Sequence, residues 1–165
     1  MRVSKYFNNL RDKKVLVTAG PTREYWDPVR FLSNGSSGQM GVALALEAAK
    51  LGAEVVLVLG PVPGTIPRQR KNLKVIRVVS AQTMDDQVQA HLSGTRVFVG
   101  AAAVADYRPA ITLRQKIKGK PSRVNLKLVC NPDIIAKVAR RGPHRPSVVI
   151  GFALETQQSS QKVLA

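Results

Sequence analysis

The sequence has little cysteine, few aromatic residues and little negative charge. Its one cysteine, Cys130, cannot form an internal disulfide, which favours a reducing compartment. Aromatic residues make up 5% of the chain, and this argues against a stacking platform for single-stranded nucleic acid. No apolar run reaches the length of a bilayer span, and residues 1–14 lack the apolar segment of a signal peptide. These absences predict a cytoplasmic protein with no membrane partner.

Basic residues greatly outnumber acidic ones, with 26 Lys and Arg against 10 Asp and Glu and a formal net charge of +16. Such an excess favours polyanionic partners, which include phosphorylated small molecules, nucleic acids and acidic membrane surfaces. The basic residues are spread along the chain and do not form a tail. Nucleic acid ranks last among the predicted partners, because the loops described below explain more residues than bulk charge does.

The 165 residues are enough for one domain with a hydrophobic core, and apolar runs alternate with helix-forming segments along them. Five apolar runs predict strands: KKVLVTAG, GAEVVLVLGP, NLKVIRVV, TRVFVGAAA and PSVVIGFAL. Three segments between them predict helices: GQMGVALALEAAKL, SAQTMDDQVQAHL and NPDIIAKVARRG. We expect Ser80 or Thr83 to cap the second helix, and Asn131 to open the third with Pro132 at its first position. The alternation predicts an α/β fold, with a parallel sheet covered by helices on both faces.

Two long segments interrupt this alternation. PTREYWDPVRFLSNGSS separates the first strand from the first helix and is far longer than a usual loop. DYRPAITLRQKIKGKPSRVNLKL follows the fourth strand, and its basic, proline-punctuated sequence predicts a flap or hairpin beside the sheet. Ligand sites of open α/β sheets form in such segments, at the carboxyl ends of the strands.

The first long segment ends in glycines that do not match a dinucleotide-binding loop. Gly35, Gly38 and Gly41 are spaced GxxGxxG, and the second strand ends in VLGPV without the acidic residue that binds a ribose. What remains is a helix start carrying Ser36, Ser37 and Gly38, which predicts an anion site suited to a phosphate. An ordinary serine cap on a surface helix is the alternative.

Five motifs follow one another along the chain: GPTREYWDPVRFLSNGSSGQMG, AAAVADYRP, KIKGK, NPDII and GFALET. In this order they closely resemble the phosphopantothenoylcysteine synthetase (phosphopantothenate–cysteine ligase) domain of coenzyme A biosynthesis, from about Lys13 to Thr156. The resemblance implies a Rossmann-like fold, with an N-terminal segment at residues 1–12 and the domain at residues 13–165. It also implies a homodimer and a functional link to phosphopantothenoylcysteine decarboxylase.

The resemblance to bacterial members implies a reaction that consumes CTP in the presence of Mg²⁺. The carboxylate of 4'-phosphopantothenate attacks the α-phosphate of CTP, which gives an acyl-cytidylate and pyrophosphate. The amine of cysteine then displaces CMP and forms the amide. A carboxylate is a poor acyl donor until its oxygen joins a good leaving group, so cations and fixed hydrogen-bond donors are needed where it meets the triphosphate.

The resemblance assigns the catalytic roles to three residues. Asn34 holds the carbonyl of the acyl-cytidylate, with Arg30 nearby, and its amide offers both an acceptor and donors without adding charge. Lys116 matches the lysine at the triphosphate, where its charge offsets what develops as pyrophosphate leaves. A turn residue is the alternative for Asn34. A solvated surface charge is the alternative for Lys116, and Lys118 and Lys120 have no other predicted role.

The resemblance also implies binding residues. Asp106 contacts the nucleotide or its Mg²⁺, since Mg²⁺ is typically held by one or two carboxylates beside substrate phosphates; an ion pair with Arg108 is the alternative. Ala102 and Ala103 stay small so that the ligand can approach the strand end. The cytosine pocket comprises Pro132, Asp133, Ile134, Ile135 and Phe152. The binding residues for 4'-phosphopantothenate are Gly20, Asn34, Ser36, Ser37 and Gly38.

The chain departs from the family pattern in its ending. Family members continue beyond GFALET with further strands and a lysine-bearing segment, whereas this sequence ends in QQSSQKVLA, and Gln39 stands where lysine is frequent. We therefore expect the C-terminal part of the family domain to be absent. A non-catalytic nucleotide or phospho-ligand binding domain is the first alternative to a ligase, and a basic nucleic-acid-binding module is the second. His91 and His144 have no metal spacing, and Cys130 is expected to be a buried apolar residue.

Overall fold

Each predicted apolar run forms a strand of one parallel sheet in the computed structural model, which describes residues 10–119 and 122–153. The strands are β1 (Lys14–Pro21), β2 (Arg23–Tyr25), β3 (Phe31–Ser33), β4 (Glu54–Leu59), β5 (Leu73–Arg77), β6 (Thr95–Ala103), β7 (Tyr107–Pro109), β8 (Leu128–Cys130) and β9 (Val148–Gly151). The helices are α1 (Gln39–Lys50), α2 (Ala81–His91) and α3 (Ile134–Ala139). No helix within the described ranges is both long and apolar enough to span a bilayer.

The main sheet has the strand order β5-β4-β1-β6-β9, and all neighbouring strands are parallel. From β1 the chain moves outward through β4 to β5, then returns to the other side of β1 to form β6 and β9. The order therefore reverses between β1 and β6, and ligands of open α/β sheets bind outside the carboxyl ends of the strands at such a reversal. This topology confirms the predicted Rossmann-like sheet.

Successive residues of β1 point to opposite faces of the sheet and build two apolar layers. Val15 and Val17 pack with the alanines of α1 on one face, while Leu16 packs with Met84 of α2 and Ile134 of α3 on the other. Fully burying a leucine or valine side chain stabilises a fold by about 1.5–3 kcal/mol. The sheet is thus covered on both faces, as the apolar runs predict.

α1 packs closely on β1 because Gly41, on the side of the helix that faces the strand, has no side chain. A Cβ atom on Gly41 would lie 2.5 Å from the Cβ of Ala19, so a larger side chain would push the helix away. Gly38 precedes the helix with a left-handed φ of 70° and would meet the Cα of Gly20 at 3.1 Å if it carried a Cβ. Glycine spacing in this loop therefore serves close helix–sheet packing.

The sequence predicts a long loop between β1 and α1. The structure differs, because this segment contains the antiparallel hairpin β2–β3. Glu24 of β2 is buried, and its Oε1 accepts the backbone N–H of Ala81 at 2.8 Å. Ser80 caps the same helix with a reciprocal contact from Thr83, as predicted. The hairpin is therefore fastened to the amino end of α2, next to the reversal point of the sheet.

Two other sequence predictions are wrong in detail. α3 begins at Ile134 with Asp133 as its cap, because the Asp133 Oδ1 accepts the N–H of Ala136 at 2.8 Å. Asn131 does not open the helix, since its amide donates to the carbonyl of Ala105 at 2.7 Å. Cys130 is exposed, not buried, because β7 and β8 form a two-stranded ribbon away from the main sheet.

The predicted flap begins and ends in this ribbon, in which Tyr107 pairs with Cys130 and Pro109 with Leu128. The domain boundary after residue 12 stays a prediction. Residues 154–165 and Lys120 lie outside the described residues.

Candidate functional site

A cleft of about 950 Å³ lies at the carboxyl end of β6, next to the reversal of strand order. Its size falls at the upper end of the roughly 300–1,000 Å³ of small-molecule sites. Its lining residues are Asn34, Gly35, Ser36, Met40, Ala101, Ala102, Ala103, Val104, Ala105, Asp106, Asn131, Pro132, Asp133, Ile134, Ile135, Phe152 and Ala153. Ten of the residues predicted for the site are therefore brought together: Asn34, Ser36, Ala102, Ala103, Asp106, Pro132, Asp133, Ile134, Ile135 and Phe152.

Asn34 is held at the cleft by its own side chain. Its Nδ2 donates to the carbonyl of Val104 at 2.9 Å, which ties the end of β3 to the segment after β6. Thr22 strengthens the same junction: its Oγ1 accepts the N–H of Ala105 at 3.0 Å, and its carbonyl accepts the Ser33 hydroxyl at 2.7 Å. The Asn34 amide makes no further hydrogen bond to the part of the chain described, so one N–H donor and the Oδ1 acceptor remain for a ligand.

The serines before α1 bind their own backbone. Ser36 Oγ accepts the N–H of Gly38 at 3.2 Å, and Ser37 Oγ accepts the N–H of Gln39 at 3.4 Å. Gly38 is the cap residue and has no side chain, so neither serine is the cap itself, although the Ser37 hydroxyl binds the N–H of the first residue of α1. No acidic residue lies in the first turn of α1, which leaves its positive dipole end uncompensated. Of the predicted phosphate-binding residues Ser36, Ser37 and Gly38, only Ser36 lines the cleft.

Gly20 lies behind this loop and does not line the cleft. It has a left-handed φ of 78°, and a Cβ on it would come within 2.7 Å of Cγ1 of Val62. Only glycine avoids both the strained backbone and this contact. The structure therefore gives Gly20 a packing role, while its contact with a substrate stays a prediction.

Asp106 is exposed at the rim of the cleft, and the alternative that it pairs with Arg108 is wrong. The Arg108 guanidinium donates to the carbonyl of Cys130 at 2.7 Å and to Oδ1 of Asn131 at 3.1 Å. Asp106 contributes its backbone carbonyl to the N–H of Asn131 at 2.7 Å. Its carboxylate has no ion pair among residues 10–119 and 122–153 and remains available to a ligand.

One side of the cleft, formed by residues 132–135 and Phe152, is close-packed, and we call it the base side because the sequence predicts the cytosine pocket there. Ile135 lies over Gly100 of β6, where a Cβ would be 2.9 Å from Cγ1 of Ile135, so the position has no room for a side chain. Phe152 follows the end of β9, and its N–H donates to the carbonyl of Gly100 at 3.2 Å. Its side chain is 48% exposed at the cleft, so it is not the core residue that an apolar strand would suggest.

Arg30 and Lys116 do not line the cleft. Arg30 forms an ion pair with Asp27 at 3.5 Å, and its Nη2 donates to the carbonyl of Ile117 at 3.4 Å. Lys116 precedes Ile117 in the flap and is exposed. Arg30 therefore contacts the flap at the residue after Lys116, and neither of these two predicted catalytic residues lines the cleft.

Asp27 is the residue that sequence reasoning missed. Burial alone would raise the pKa of its carboxyl, but the backbone N–H groups of Val29, Arg30 and Ile117 and the Arg30 charge outweigh it and hold the pKa below its ordinary value. The available signal was the Asp-Pro pair inside the first long segment, because aspartate before proline favours a turn closed by its own side chain.

The cleft itself contains no basic side chain among the described residues that line it, although it contains Asp106 and Asp133. Positive charge lies instead in the flap, where residues 107–130 include no Asp or Glu. No group of three or more His, Cys, Asp or Glu side chains that could hold a metal occurs in residues 10–119 and 122–153. The carboxylate of Asp106 fits one ligand position of a Mg²⁺ ion that is otherwise held by substrate phosphates.

A family model and curated relatives match nearly the whole chain and agree on one family. The model of the DNA/pantothenate metabolism flavoprotein C-terminal domain matches residues 10–164. The coenzyme A biosynthesis bifunctional protein CoaBC of Vibrio vulnificus is 50% identical over 149 residues, which are 89% of this chain and 36% of the relative. CoaBC of Escherichia coli K12 is 47% identical over 152 residues, or 90% of this chain and 36% of the relative.

A solved structure gives the same match. The crystal structure of the C-terminal domain of CoaBC has a TM-score of 0.73 and 40% identity, covering 92% of this chain and 69% of that one. The chain spans about a third of the length of the curated relatives that it matches. The fold of this chain is thus similar to that of a solved CoaBC C-terminal domain.

Proposed function

This chain belongs to the family of DNA/pantothenate metabolism flavoprotein C-terminal domains, and from that premise we propose that it is a ligase domain of coenzyme A biosynthesis. Its substrates would be 4'-phosphopantothenate and cysteine. The observation that carries the proposal is Asn34, which is fixed by Val104 at the cleft with an amide donor and an acceptor left over. The relatives named for coenzyme A biosynthesis support the pathway.

We assign CTP as the nucleotide, in line with the resemblance of the five motifs to bacterial members. In the first step a carboxylate oxygen of 4'-phosphopantothenate bonds to the α-phosphorus, the bond to pyrophosphate breaks, and an acyl-cytidylate forms. In the second step the amine nitrogen of cysteine bonds to the acyl carbon, the bond to CMP breaks, and the amine loses a proton to solvent. The remaining N–H of Asn34 can donate to the acyl oxygen in both steps without adding charge.

The phosphates of CTP need positive charge that the described cleft lining lacks. Lys116 would supply this charge from the flap as pyrophosphate leaves. Arg30 contacts the carbonyl of Ile117, the residue after Lys116. Asp106 would hold Mg²⁺, which supplies a further charge at the phosphates when bound. Ser36, Ser37 and Gly38 at the start of α1 suit the phosphate of 4'-phosphopantothenate.

The base would lie over α3 and Phe152, between the apolar side chains of Ile134 and Ile135 and the small residues Ala102 and Ala103. The side chain of Asp133 already caps α3, so backbone groups of Pro132 and Asp133 are left to recognise the edge of cytosine. Recognition through backbone groups requires a fixed loop, and the close packing of Ile135 on Gly100 provides one. A homodimer and a functional link to the decarboxylase are part of the same proposal.

Pyrophosphate release from CTP, measured with 4'-phosphopantothenate, cysteine and Mg²⁺, tests this function. Asn34→Ala should lower the rate by roughly 10²–10³, the effect of removing one donor from a transition-state oxygen. Asn125→Ala is the matched control, because Asn125 is exposed in the flap. Full activity of Asn34→Ala with unchanged helix content would contradict the assigned role.

A second candidate is a binding domain without turnover. The absence of lysine or arginine from the described cleft lining favours it, because a triphosphate bound there would lack a direct cation. Calorimetry with CTP separates the two: binding with no pyrophosphate release supports the second candidate. Salt-sensitive binding to mixed oligonucleotides that CTP does not displace would instead support a nucleic-acid-binding module.

A further inference from the structure

The turn at residues 26–30, between β2 and β3, is organised by the buried carboxylate of Asp27. Its Oδ1 accepts the N–H of Val29 and the N–H of Arg30, both at 2.8 Å. The N–H of Trp26 closes the turn on the carbonyl of Arg30 at 3.1 Å. Asp27 is 0% exposed, and an ionised carboxylate is costly to bury without a partner. Within the described residues its ion-pair partner is Arg30.

The end of β2 and the same turn bind the first part of the flap. The hydroxyl of Thr112 donates to the carbonyl of Tyr25 at 2.8 Å. The N–H of Leu113 donates to the carbonyl of Trp26, also at 2.8 Å. These contacts fasten the flap where it leaves β7, but they do not reach the lysine that follows.

Arg30 makes the connection to the later part of the flap. Its Nη1 lies 3.5 Å from Oδ2 of Asp27, while its Nη2 donates to the carbonyl of Ile117 at 3.4 Å. The planar guanidinium can serve both partners because its N–H groups diverge in a fixed fork. Lys116 is bonded directly to Ile117, so its backbone is held within one residue of this contact.

We propose that Asp27 is a positioning residue that holds the flap, and with it Lys116, against the β2–β3 turn through the guanidinium of Arg30. The role of Lys116 rests on the proposed function, whereas the contact between turn and flap does not. Asp27 itself would touch no substrate. Its charge faces the backbone N–H of Ile117 and orients Arg30, whose guanidinium holds the carbonyl of the same residue.

Asp27→Asn separates this role from a merely structural one. Asparagine keeps the Oδ1 acceptor for the N–H groups of Val29 and Arg30, so the turn retains its hydrogen bonds. It removes the charge that orients the guanidinium. A purely local role therefore predicts an intact flap, and positioning through Arg30 predicts a released one.

Limited digestion with trypsin measures flap release without any need for activity. The flap offers exposed cleavage sites after Arg114, Lys116 and Lys118. We expect Asp27→Asn to be cut at these bonds several-fold faster than the wild-type chain, and Asp86→Asn to be cut at the wild-type rate. Asp86 is the matched control because it is an exposed aspartate on α2. Equal flap cleavage in all three folded proteins would overturn the proposal.

Trp26 provides a second measurement, since it is the one tryptophan of the chain and its carbonyl accepts a flap N–H. Release of the flap should expose its indole and shift its fluorescence to longer wavelength. If Asp27→Asn does not fold, Arg30→Lys replaces it, because lysine keeps the charge beside Asp27 but loses the fork that reaches Ile117. Arg30→Lys with wild-type cleavage and fluorescence would overturn the proposal.

Activity adds a separate arm. If the wild-type chain releases pyrophosphate, Asp27→Asn should lower kcat more than it raises the KM for CTP, because Lys116 acts as pyrophosphate leaves and is then held less firmly. An unchanged kcat in a variant with a released flap would overturn the link to Lys116. A wild-type chain without turnover contradicts the proposed function, while the cleavage result still decides whether Asp27 holds the flap.

Discussion

Different forces hold the base side of the cleft and the flap side, which is the flap together with the β2–β3 turn that it contacts. On the base side, Ile134 is 5% exposed in an apolar cluster that includes Leu16 and Phe98, and Ile135 covers Gly100. On the flap side, hydrogen bonds and one ion pair fix the segment from Thr112 to Ile117 to the turn before β3. Apolar packing involves many contacts at once, whereas a hydrogen bond contributes about 0.5–1.5 kcal/mol net. The base side should therefore govern stability, and the flap side should govern turnover.

The largest expected effect is on stability, from a truncation on the base side. Ile134→Ala removes a buried side chain from the core and should lower the free energy of unfolding by about 2–5 kcal/mol. Urea denaturation followed by circular dichroism measures it. Ile135→Ala, on the neighbouring residue of α3, is the control: Ile135 is 37% exposed, so its truncation should cost clearly less. Equal losses would mean that packing does not distinguish the two positions.

Removing the charge of Lys116 should lower the rate of pyrophosphate release and leave the free energy of unfolding nearly unchanged. Lys116→Met should slow pyrophosphate release by roughly tenfold to several hundredfold through loss of one charge at the phosphates. Lys116 is exposed, so the free energy of unfolding should change by less than about 0.5 kcal/mol. Lys127→Met makes the same charge change elsewhere in the flap and controls for bulk charge. Equal loss of rate in both variants would assign the effect to the net charge of the flap and not to Lys116.

The sequence predicted the base side better than the flap side, for a physical reason. Strands and helices there follow from apolar runs, and the residues NPDII and Phe152 come together because the carboxyl ends of parallel strands meet at one edge. Even so, the sequence predicts the start of α3 at Asn131, because two residues close together can each cap a helix. The contacts of Asn131 with Ala105 and of Asp133 with Ala136 decide the choice.

The flap side depends on pairs that lie far apart in sequence. The contact of Arg30 with Ile117 spans 87 residues, and no periodicity predicts it. The hairpin β2–β3 was also missed, because each strand has three residues and carries no clear alternation. The sequence does not indicate the burial of Asp27, because a charged residue in a loop is usually solvated, and its contacts with Val29 and Arg30 form only in the folded turn.

The charge of Asp27 makes the flap side sensitive to pH. Its pKa is lower in the folded chain than the ordinary value of about 3.9, so it contributes stability that is complete above that value and is lost as pH falls through the folded pKa. The difference in unfolding free energy between the wild-type chain and Asp27→Asn should be constant above about pH 5 and shrink below about pH 4. Urea denaturation across this range, with Asp86→Asn as the reference variant, measures the difference. A gap that widens on acidification would contradict the lowered pKa.

The smallest expected effect isolates a single contact on the flap side. Thr112→Val keeps the shape of the side chain but removes the hydroxyl that donates to the carbonyl of Tyr25. Because the lost hydrogen bond is exposed, water replaces it, and unfolding free energy should fall by no more than about 0.5–1.5 kcal/mol. Cleavage after Arg114 should increase nevertheless, since the early part of the flap is held by this bond and by the N–H of Leu113.

Thr83→Val is not a suitable control for Thr112→Val, because Thr83 takes part in the cap of α2. Thr65→Val is better matched, since Thr65 is exposed in the loop after β4, far along the chain from the flap. If Thr112→Val leaves both stability and flap cleavage at the values of Thr65→Val, the Tyr25 contact contributes nothing measurable. The flap would then be held by the Asp27–Arg30 pair and the N–H of Leu113. These two contacts alone would distinguish the flap side from the apolar packing of the base side.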